Sequence, residues 1–275
     1  MSPLKVLFIA SYPYMPQRTS GAESSIHELC VGLLERGHQV AVLAGLHKYD
    51  TTWLKNRFLS TVQNSDLVAD RCFGYPVYRV SNIRGSVSPL VDKFQPDVIV
   101  VMAGRCFGLL NECTALRIPT IYYALVLGLG ENDETLNRTP YLKCISNSQF
   151  TANVIQKLLH LPSTVIPPLI LFDNYRVAGK GTKAVHIGIN HKKGIHISIQ
   201  LARSLPRIPF LFVESWPLTR PEFKAIRQET ESLSNVIIMR RTNDMKKVYS
   251  QAKILLAPSQ WEECWGRVAT EAQIS

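Results

Sequence analysis

Residues 5–45 read KVLFIASYPYMPQRTSGAESSIHELCVGLLERGHQVAVLAG, and this stretch decides the fold. Val6-Leu7-Phe8-Ile9 is a continuous apolar run, typical of a strand that is buried on both faces. Apolar residues at positions 26, 29, 30, 33 and 34 then have helical spacing. Gly37 is suited to end that helix just beyond its C-cap, and Val40-Ala41-Val42-Leu43 is a second strand. The stretch therefore predicts one right-handed β-α-β unit, the beginning of a doubly wound parallel sheet.

The same pattern continues to about position 170. Apolar runs predict further buried strands at 98–101, 120–123 and 164–166. Ser148 has the side chain of a helix N-cap before another amphipathic segment. Pro167-Pro168 then interrupt the pattern, and we expect the first domain to end shortly after them.

A second series of strands follows a polar segment, residues 173–183, which contains Gly179 and Gly181. This composition predicts an interdomain linker. Beyond it the pattern of apolar runs restarts, with strands predicted at 184–187, 210–213, 236–239 and 254–257 and a last helix from about Trp265. We therefore predict an α/β chain with two Rossmann-like domains, over 1–172 and 184–275.

The composition limits the class of protein. The hydrophobic fraction is 46% and no stretch approaches the roughly 18 apolar residues of a membrane span, so we expect a cytoplasmic protein. The net charge of +10 suits an anionic partner such as a nucleotide, a phosphorylated substrate or an acidic membrane surface. Because the charges are dispersed, a nucleic-acid-binding protein is disfavoured. The six cysteines are scattered and predict buried thiols rather than a metal site.

Residues 258–272 read PSQWEECWGRVATEA and contain two glutamates eight positions apart. On a helix, Glu263 and Glu271 would lie about 12 Å apart along the axis and within one face-width. A sugar and a ribose joined through a diphosphate match that span, and carboxylates accept hydrogen bonds from hydroxyls. The amides of Trp265 and Gly266 at the helix start would face the diphosphate. The plainer alternative is a helix with one acid at its N-terminus and another facing solvent.

This stretch resembles the Glu-x-x-Gly…Glu signature of the retaining glycosyltransferases of family four (glycosyl transferases group one), which have the GT-B fold. The resemblance implies two Rossmann-like doubly wound domains facing a central cleft, an acceptor domain over 1–172 and a donor-binding domain over 184–275. It implies that Glu263 contacts the donor sugar and acts in catalysis. It also implies that Glu271 binds the ribose, with Cys264, Trp265 and Gly266 beside the donor.

The end of the chain differs from the family pattern. The last residue, Ser275, lies four positions after Glu271, whereas family members continue with further elements. We therefore expect the second domain to be incomplete, with an open sheet edge that favours self-association and with reduced turnover.

Two other segments resemble the family. Ser20-Gly21-Ala22-Glu23 resembles its glycine turn, in which Gly21 would let a phosphate or sugar approach the backbone; a simple turn glycine is the equal alternative. Residues 186–194, HIGINHKKG, resemble its phosphate loop. The resemblance makes Lys193 the ligand of the leaving diphosphate and includes Asn190 in the donor-binding loop.

Two positions depart from the family pattern. Ile189 stands where members carry an arginine. Arg240 or Arg241, just past the third strand of the second domain, is our candidate for the missing charge on the donor, and the plainer alternative is that both are surface cations. Ala103-Gly104-Arg105 stand where many members have a catalytic-domain histidine, so no histidine is assigned.

The resemblance implies transfer of a sugar from a nucleoside diphosphate, most simply a UDP-sugar, to the hydroxyl of a glycan or lipid-linked acceptor. Retention of anomeric configuration follows from the family alone. We expect no cofactor and no metal, because an Asp-x-Asp motif is absent from the donor region. A peripheral position at the inner face of the membrane suits the lipid-linked alternative. The rivals are a non-catalytic nucleotide-sugar-binding protein and an inactive truncated transferase.

Overall fold

The fold consists of two parallel α/β units. It was obtained as a computed structural model, which describes residues 2–102, 107–126, 135–179, 181–216 and 218–275. The first unit covers Met1–Leu169 and the second covers Ile170–Ser275. Within the described residues, no helix is long and apolar enough to cross a membrane.

The first unit is built on an eight-stranded sheet. Its strands are β1 (Lys5–Pro13), β2 (Gln39–Gly45), β3 (Ala69–Asp70), β4 (Val77–Val80), β5 (Val98–Met102), β6 (Thr120–Ala124), β7 (Leu142–Ser146) and β8 (Ser163–Val165). Their order in the sheet is β3-β4-β2-β1-β5-β6-β7-β8, and each neighbouring pair is parallel except β3 and β4. The described helices are α1 (Gly21–Glu35), α2 (Thr51–Gln63), α3 (Arg84–Phe94), α4 (Phe107–Ala115) and α5 (Gln149–Leu159).

The first β-α-β unit forms as the sequence predicts. Leu7, Phe8 and Ile9 of β1 are fully buried, because alternate side chains enter the cores on the two faces of the sheet. Gly37 has φ +82°, the left-handed conformation expected beyond a helix C-cap. The Ser148 side chain accepts a hydrogen bond from the amide of Thr151 and thus caps α5.

The second unit has a four-stranded, all-parallel sheet. Its strands are β9 (Lys183–Ile187), β10 (Phe210–Val213), β11 (Val236–Met239) and β12 (Ala252–Leu256), in the order β11-β10-β9-β12. The helices are α6 (Ile195–Ser204), α7 (Arg220–Thr230), α8 (Lys246–Tyr249) and α9 (Arg267–Ile274), with 3-10 turns at Phe172–Asn174 and His191–Lys193. Because all four strands are parallel, their carboxyl ends lie along one edge of the sheet, where open α/β sheets bind ligands.

Two details of the second unit differ from the sequence prediction. The described residues of the predicted linker, 173–179 and 181–183, belong to this unit: Tyr175 is buried in its core, and Lys183 begins β9. The last helix begins at Arg267 rather than near Trp265, so Glu263 lies in the loop before it. The axial separation derived for a single helix carrying Glu263 and Glu271 therefore does not apply.

Candidate functional site

A pocket of about 260 Å³ opens at the carboxyl ends of β9 and β12. Its wall is shared by the ends of these two strands, the loop after each, and the first turn of α9. The lining residues are His186, Ile187, Lys193, Leu256, Ala257, Ser259, Trp261, Glu263, Gly266, Val268 and Ala269.

The loop after β9 is folded so that Lys193 faces this pocket. Gly188 has φ +99°, and a Cβ there would lie 2.9 Å from Cγ of Lys193, so only glycine allows the lysine stem to pass this close. The Asn190 side chain accepts the amide hydrogen of Lys193 at 3.1 Å and caps the 3-10 turn. Asn190 thus positions the lysine backbone, and its donor-binding role stays a prediction.

A second glycine packs the two loops of the site together. Gly194 has φ +74°, and a Cβ at this position would lie only 2.1 Å from the carbonyl oxygen of Pro258. The amide of Gln260 donates to the carbonyl oxygen of Lys192 at 2.8 Å. The loop after β9 and the loop after β12 are therefore in direct backbone contact.

Lys193 and Glu263 form an ion pair in the pocket. Nζ of Lys193 lies 2.7 Å from Oε1 of Glu263, and both side chains are largely shielded from solvent. The hydroxyl of Ser259 donates to the same carboxylate oxygen. Burial raises the pKa of Glu263, but the hydrogen bonds from Lys193 and Ser259 outweigh burial, and the pKa is held below its ordinary value. Glu263 is therefore ionised at neutral pH.

Two tryptophans flank the Lys193 ammonium. Nζ lies 5.7 Å from the ring centroid of Trp216 and 5.6 Å from that of Trp261, and the two rings meet edge to face. Each ring attracts the cation and excludes water from one side of it. Trp216 has no role predicted from the sequence, because it follows β10 and only the fold brings it to the loop after β9.

His186 lies at the base of the pocket and is neutral. It is 1% exposed, and burial lowers its pKa to about 4. Nε2 lies 3.1 Å from the carbonyl oxygen of Gly188 and must carry the proton, because a carbonyl only accepts. Nδ1 then accepts from the hydroxyl of Ser198 at 2.8 Å. The ring thus fixes the start of the loop that carries Lys193.

Glu271 lies outside the residues that line the pocket, in a buried polar cluster. Its Oε1 is 2.7 Å from Nε of Arg267, and its Oε2 accepts from the hydroxyl of Tyr249 at 2.7 Å. Arg267 also donates to the hydroxyl of Tyr175 at 2.7 Å. Glu271 therefore has a structural role in joining α9 to the segment before β9 and to α8, and its ribose role stays a prediction.

The remaining predicted residues are dispersed. Gly266 lines the pocket, whereas Cys264 and Trp265 are half-buried in the loop before α9 and do not. Arg240 lines a different pocket of this unit. Gly21 is the exposed first residue of α1, in the other unit. Residues 103–105, where the family histidine was sought, lie outside the described residues.

The position where family members carry an arginine is occupied here by a buried isoleucine. Ile189 is 1% exposed and packs in the core of the second unit. No charge can therefore reach the pocket from this position.

The fold is that of several solved glycosyltransferases. HepE from Anabaena, solved with UDP and glucose, shares 16% identity at a TM-score of 0.67, with 98% of this chain and 78% of that chain covered. A glycosyltransferase from Rickettsia africae shares 11% identity at a TM-score of 0.73, covering 100% and 78%. AviGT4, from avilamycin A biosynthesis, shares 16% identity at 0.66, covering 99% and 77%. No protein-family model and no curated protein sequence matches this chain.

These likenesses define the class of fold. The two Rossmann-like units with parallel sheets are the GT-B fold, as the sequence predicted. At these identities the likeness shows the fold alone, and the activity has to be argued from the site.

Proposed function

We propose that this protein is a glycosyltransferase that moves a sugar from a nucleoside diphosphate to an acceptor hydroxyl. The observation that carries the proposal is the Lys193–Glu263 pair in a pocket at the carboxyl ends of β9 and β12. The Lys193 ammonium can bind a phosphate group, and the adjacent Glu263 carboxylate can accept hydrogen bonds from sugar hydroxyls. A nucleotide sugar carries both of these groups. HepE, which has this fold, was solved with UDP and glucose.

The proposed chemistry assigns one task to each partner. As the bond to the diphosphate breaks, negative charge grows on the leaving group, and the Lys193 ammonium stabilises it. An ammonium has three N–H donors, so Lys193 can hold a phosphate oxygen while it remains bonded to Glu263. The carboxylate of Glu263 accepts from sugar hydroxyls and orients the ring towards the acceptor.

The finer features of the reaction are part of the proposal. We propose a UDP-sugar as donor, a glycan or lipid-linked acceptor, retention of configuration, and transfer without a metal or cofactor. The cation at the diphosphate is then Lys193. Retention and the ribose role of Glu271 rest on the family resemblance.

A donor panel tests the proposal. The chain is titrated with UDP-glucose, UDP-N-acetylglucosamine, GDP-mannose and ADP-glucose, and the shift in melting temperature is measured, because a ligand of the folded state must raise it. The donor with the largest shift is then supplied with radiolabelled sugar and mixed acceptors. Transfer of label, or release of UDP with water as acceptor, is expected. Binding without turnover of any kind would favour the non-catalytic rival, and no shift with any donor would contradict both.

A matched pair of variants locates the activity. Lys193→Ala is expected to reduce the shift in melting temperature and to lower the turnover strongly. Lys246→Ala removes an equally charged but exposed side chain on α8 and is expected to change neither. Equal loss in both variants would show that the effect is one of net charge and not of this pocket.

A further inference from the structure

The second unit has another cavity, lined by four cationic side chains. This basic pocket, of about 240 Å³, is lined by Leu218, Thr219, Arg220, Phe223, Lys224, Arg227 and Arg240. It shares no lining residue with the pocket of Lys193. Leu218 to Arg220 follow β10 and Arg240 directly follows β11, so the basic pocket lies at the same ligand-binding edge of the sheet.

The shape of the basic pocket is fixed by a buried carboxylate. Glu214, 5% exposed at the end of β10, accepts the amide hydrogens of Leu218 at 3.2 Å and Arg241 at 3.4 Å. It also pairs with Nε of Arg240 at 3.3 Å. The loops after β10 and β11 are therefore joined through one side chain, which holds Arg240 in place.

Arg240 is held from a second direction. Its guanidinium carbon lies 4.2 Å from the ring centroid of Phe223 on α7, so the planar group stacks on the ring. Stacking and the pairing of Nε with Glu214 leave the terminal guanidinium nitrogens available, and this is the arrangement in which arginine binds phosphate.

The other three cations of the pocket lack acidic partners. Arg220, Lys224 and Arg227 are exposed and have no carboxylate within ion-pair distance in the part of the chain that the structure describes. The nearby acid Glu222 is engaged in the capping box of α7, accepting from the amide and hydroxyl of Thr219 at 2.8 Å and 2.7 Å. Four positive side chains therefore line the cavity, against the two carboxylates of Glu214 and Glu222.

We propose that the basic pocket binds a phosphate group, independently of the pocket that holds Lys193. A phosphate dianion offers several acceptor oxygens to guanidinium and ammonium donors converging from different sides. The ligand is held by side chains and not by the helix terminus, because the first turn of α7 is already capped. The proposal does not require that the chain be a transferase.

Binding of inorganic phosphate to the full chain tests this proposal. Calorimetric titrations use a Lys193→Gln background, so that the other pocket does not contribute. Phosphate binding is expected to persist there and to weaken about tenfold in an Arg220→Gln/Lys224→Gln/Arg227→Gln triple variant. The matched control, Arg203→Gln/Lys246→Gln/Lys253→Gln, removes three exposed charges of the same unit outside the basic pocket and is expected to weaken it less than about twofold. If the triple variant does not fold, the single charge reversal Lys224→Glu tests phosphate binding in its place.

The two possible sources of the phosphate are separated by a second ligand. A hexose 6-phosphate that binds more tightly than inorganic phosphate would indicate a phosphate ester, and equal binding would indicate free phosphate. Loss of all binding in the Lys193→Gln background would overturn the proposal, because only one anion site would then exist. Equal weakening in the triple variant and its control would overturn it as well.

Discussion

Nζ of Lys193 lies 2.7 Å from Oε1 of Glu263, although 70 positions separate these residues in the chain. Contact between the loops after β9 and β12 brings them together, and two indole rings shield the ammonium. The carboxylate therefore takes one of the three N–H donors of the ammonium, and the other two can bind phosphate oxygens.

Glu263→Gln should separate binding from turnover. The glutamine side chain has the shape of the glutamate and keeps one acceptor oxygen, but it lacks the negative charge. The Lys193 ammonium is then no longer neutralised and is fully available to a diphosphate. UDP affinity is expected to stay equal or to rise, whereas turnover of the sugar donor falls about a hundredfold because the sugar is less well oriented. Calorimetry with UDP and initial rates with the donor measure the two effects. A parallel loss of both would show that Glu263 mainly supports the fold of the loop.

Lys193→Ala should weaken UDP more than uridine, because only UDP carries the charge that the ammonium neutralises. Loss of a charge-assisted bond corresponds to about 1.5–3 kcal/mol, or roughly ten- to a hundredfold in affinity. Uridine affinity is expected to change little. If calorimetry shows equal losses for both ligands, Lys193 acts on the structure of the loop and not on the diphosphate.

His186 should make the second unit less stable in mild acid. Its pKa is about 4 in the folded chain, against 6.5 for an unperturbed histidine, so the unfolded chain takes up the proton first as the pH falls. The contribution of His186 to the free energy of unfolding is present above pH 6.5 and is lost as the pH falls from 6.5 to 4. Between pH 7 and pH 5 this contribution falls by about 2 kcal/mol. Urea unfolding followed by tryptophan fluorescence measures it.

The experiment needs a Trp53→Phe background and a control. The other three tryptophans, at 216, 261 and 265, then report on the second unit alone. His186→Gln, which cannot titrate, is expected to remove this part of the pH dependence. An unchanged difference between pH 7 and pH 5 in that variant would assign the acid sensitivity to other groups.

The sequence predicts the fold better than the site, for a physical reason. Strands buried on both faces are apolar throughout, so runs such as 6–9 and 210–213 identify a parallel sheet locally. A site depends on contacts between distant segments. Nothing in the sequence around Trp216 indicates that it flanks Lys193, and nothing around Glu214 indicates that it holds Arg240.

The last helix forms, but Glu263 and Glu271 do not share it, for a related reason. Glu263 and Glu271 have helical spacing, but Pro258 is packed against Gly194, and the chain enters α9 only after Gly266, which has ψ 69°. The loop keeps Glu263 near Lys193, and α9 carries Glu271 into the buried cluster instead. Spacing alone cannot show this, because tertiary contacts decide where the helix begins.

Glu271→Gln should destabilise the second unit strongly. Arg267 is 7% exposed and would remain charged without its carboxylate, a loss of about 3–5 kcal/mol. Replacing both partners, as Arg267→Met/Glu271→Leu, should recover most of the stability, because no buried charge is left unpaired. Tyr249 keeps the carbonyl oxygen of Val268, at 3.3 Å, as an acceptor. The urea experiment described for His186 compares the three proteins.

The double variant also tests the ribose role of Glu271. If Glu271 binds the ribose, the double variant folds but binds both UDP and uridine about tenfold more weakly. Unchanged affinity for both in calorimetry would leave Glu271 with its structural role alone.

Gly194→Ala should damage both the fold and the site, because this glycine allows the two loops to touch. A Cβ would lie 2.1 Å from the carbonyl oxygen of Pro258, and backbone atoms cannot give way as a flexible side chain does. The loops must then separate, and Lys193 and Glu263 move apart with them.

Gly37→Ala is the matched control: its φ of +82° is close to the +74° of Gly194, but nothing lies within 4 Å of its added Cβ. The control carries only backbone strain, about 1 kcal/mol. Urea denaturation followed by circular dichroism should show a larger loss for Gly194→Ala, and calorimetry should show weaker UDP binding in that variant alone. Equal stability losses with unchanged UDP affinity would mean that the contact between the loops does not position the Lys193–Glu263 pair.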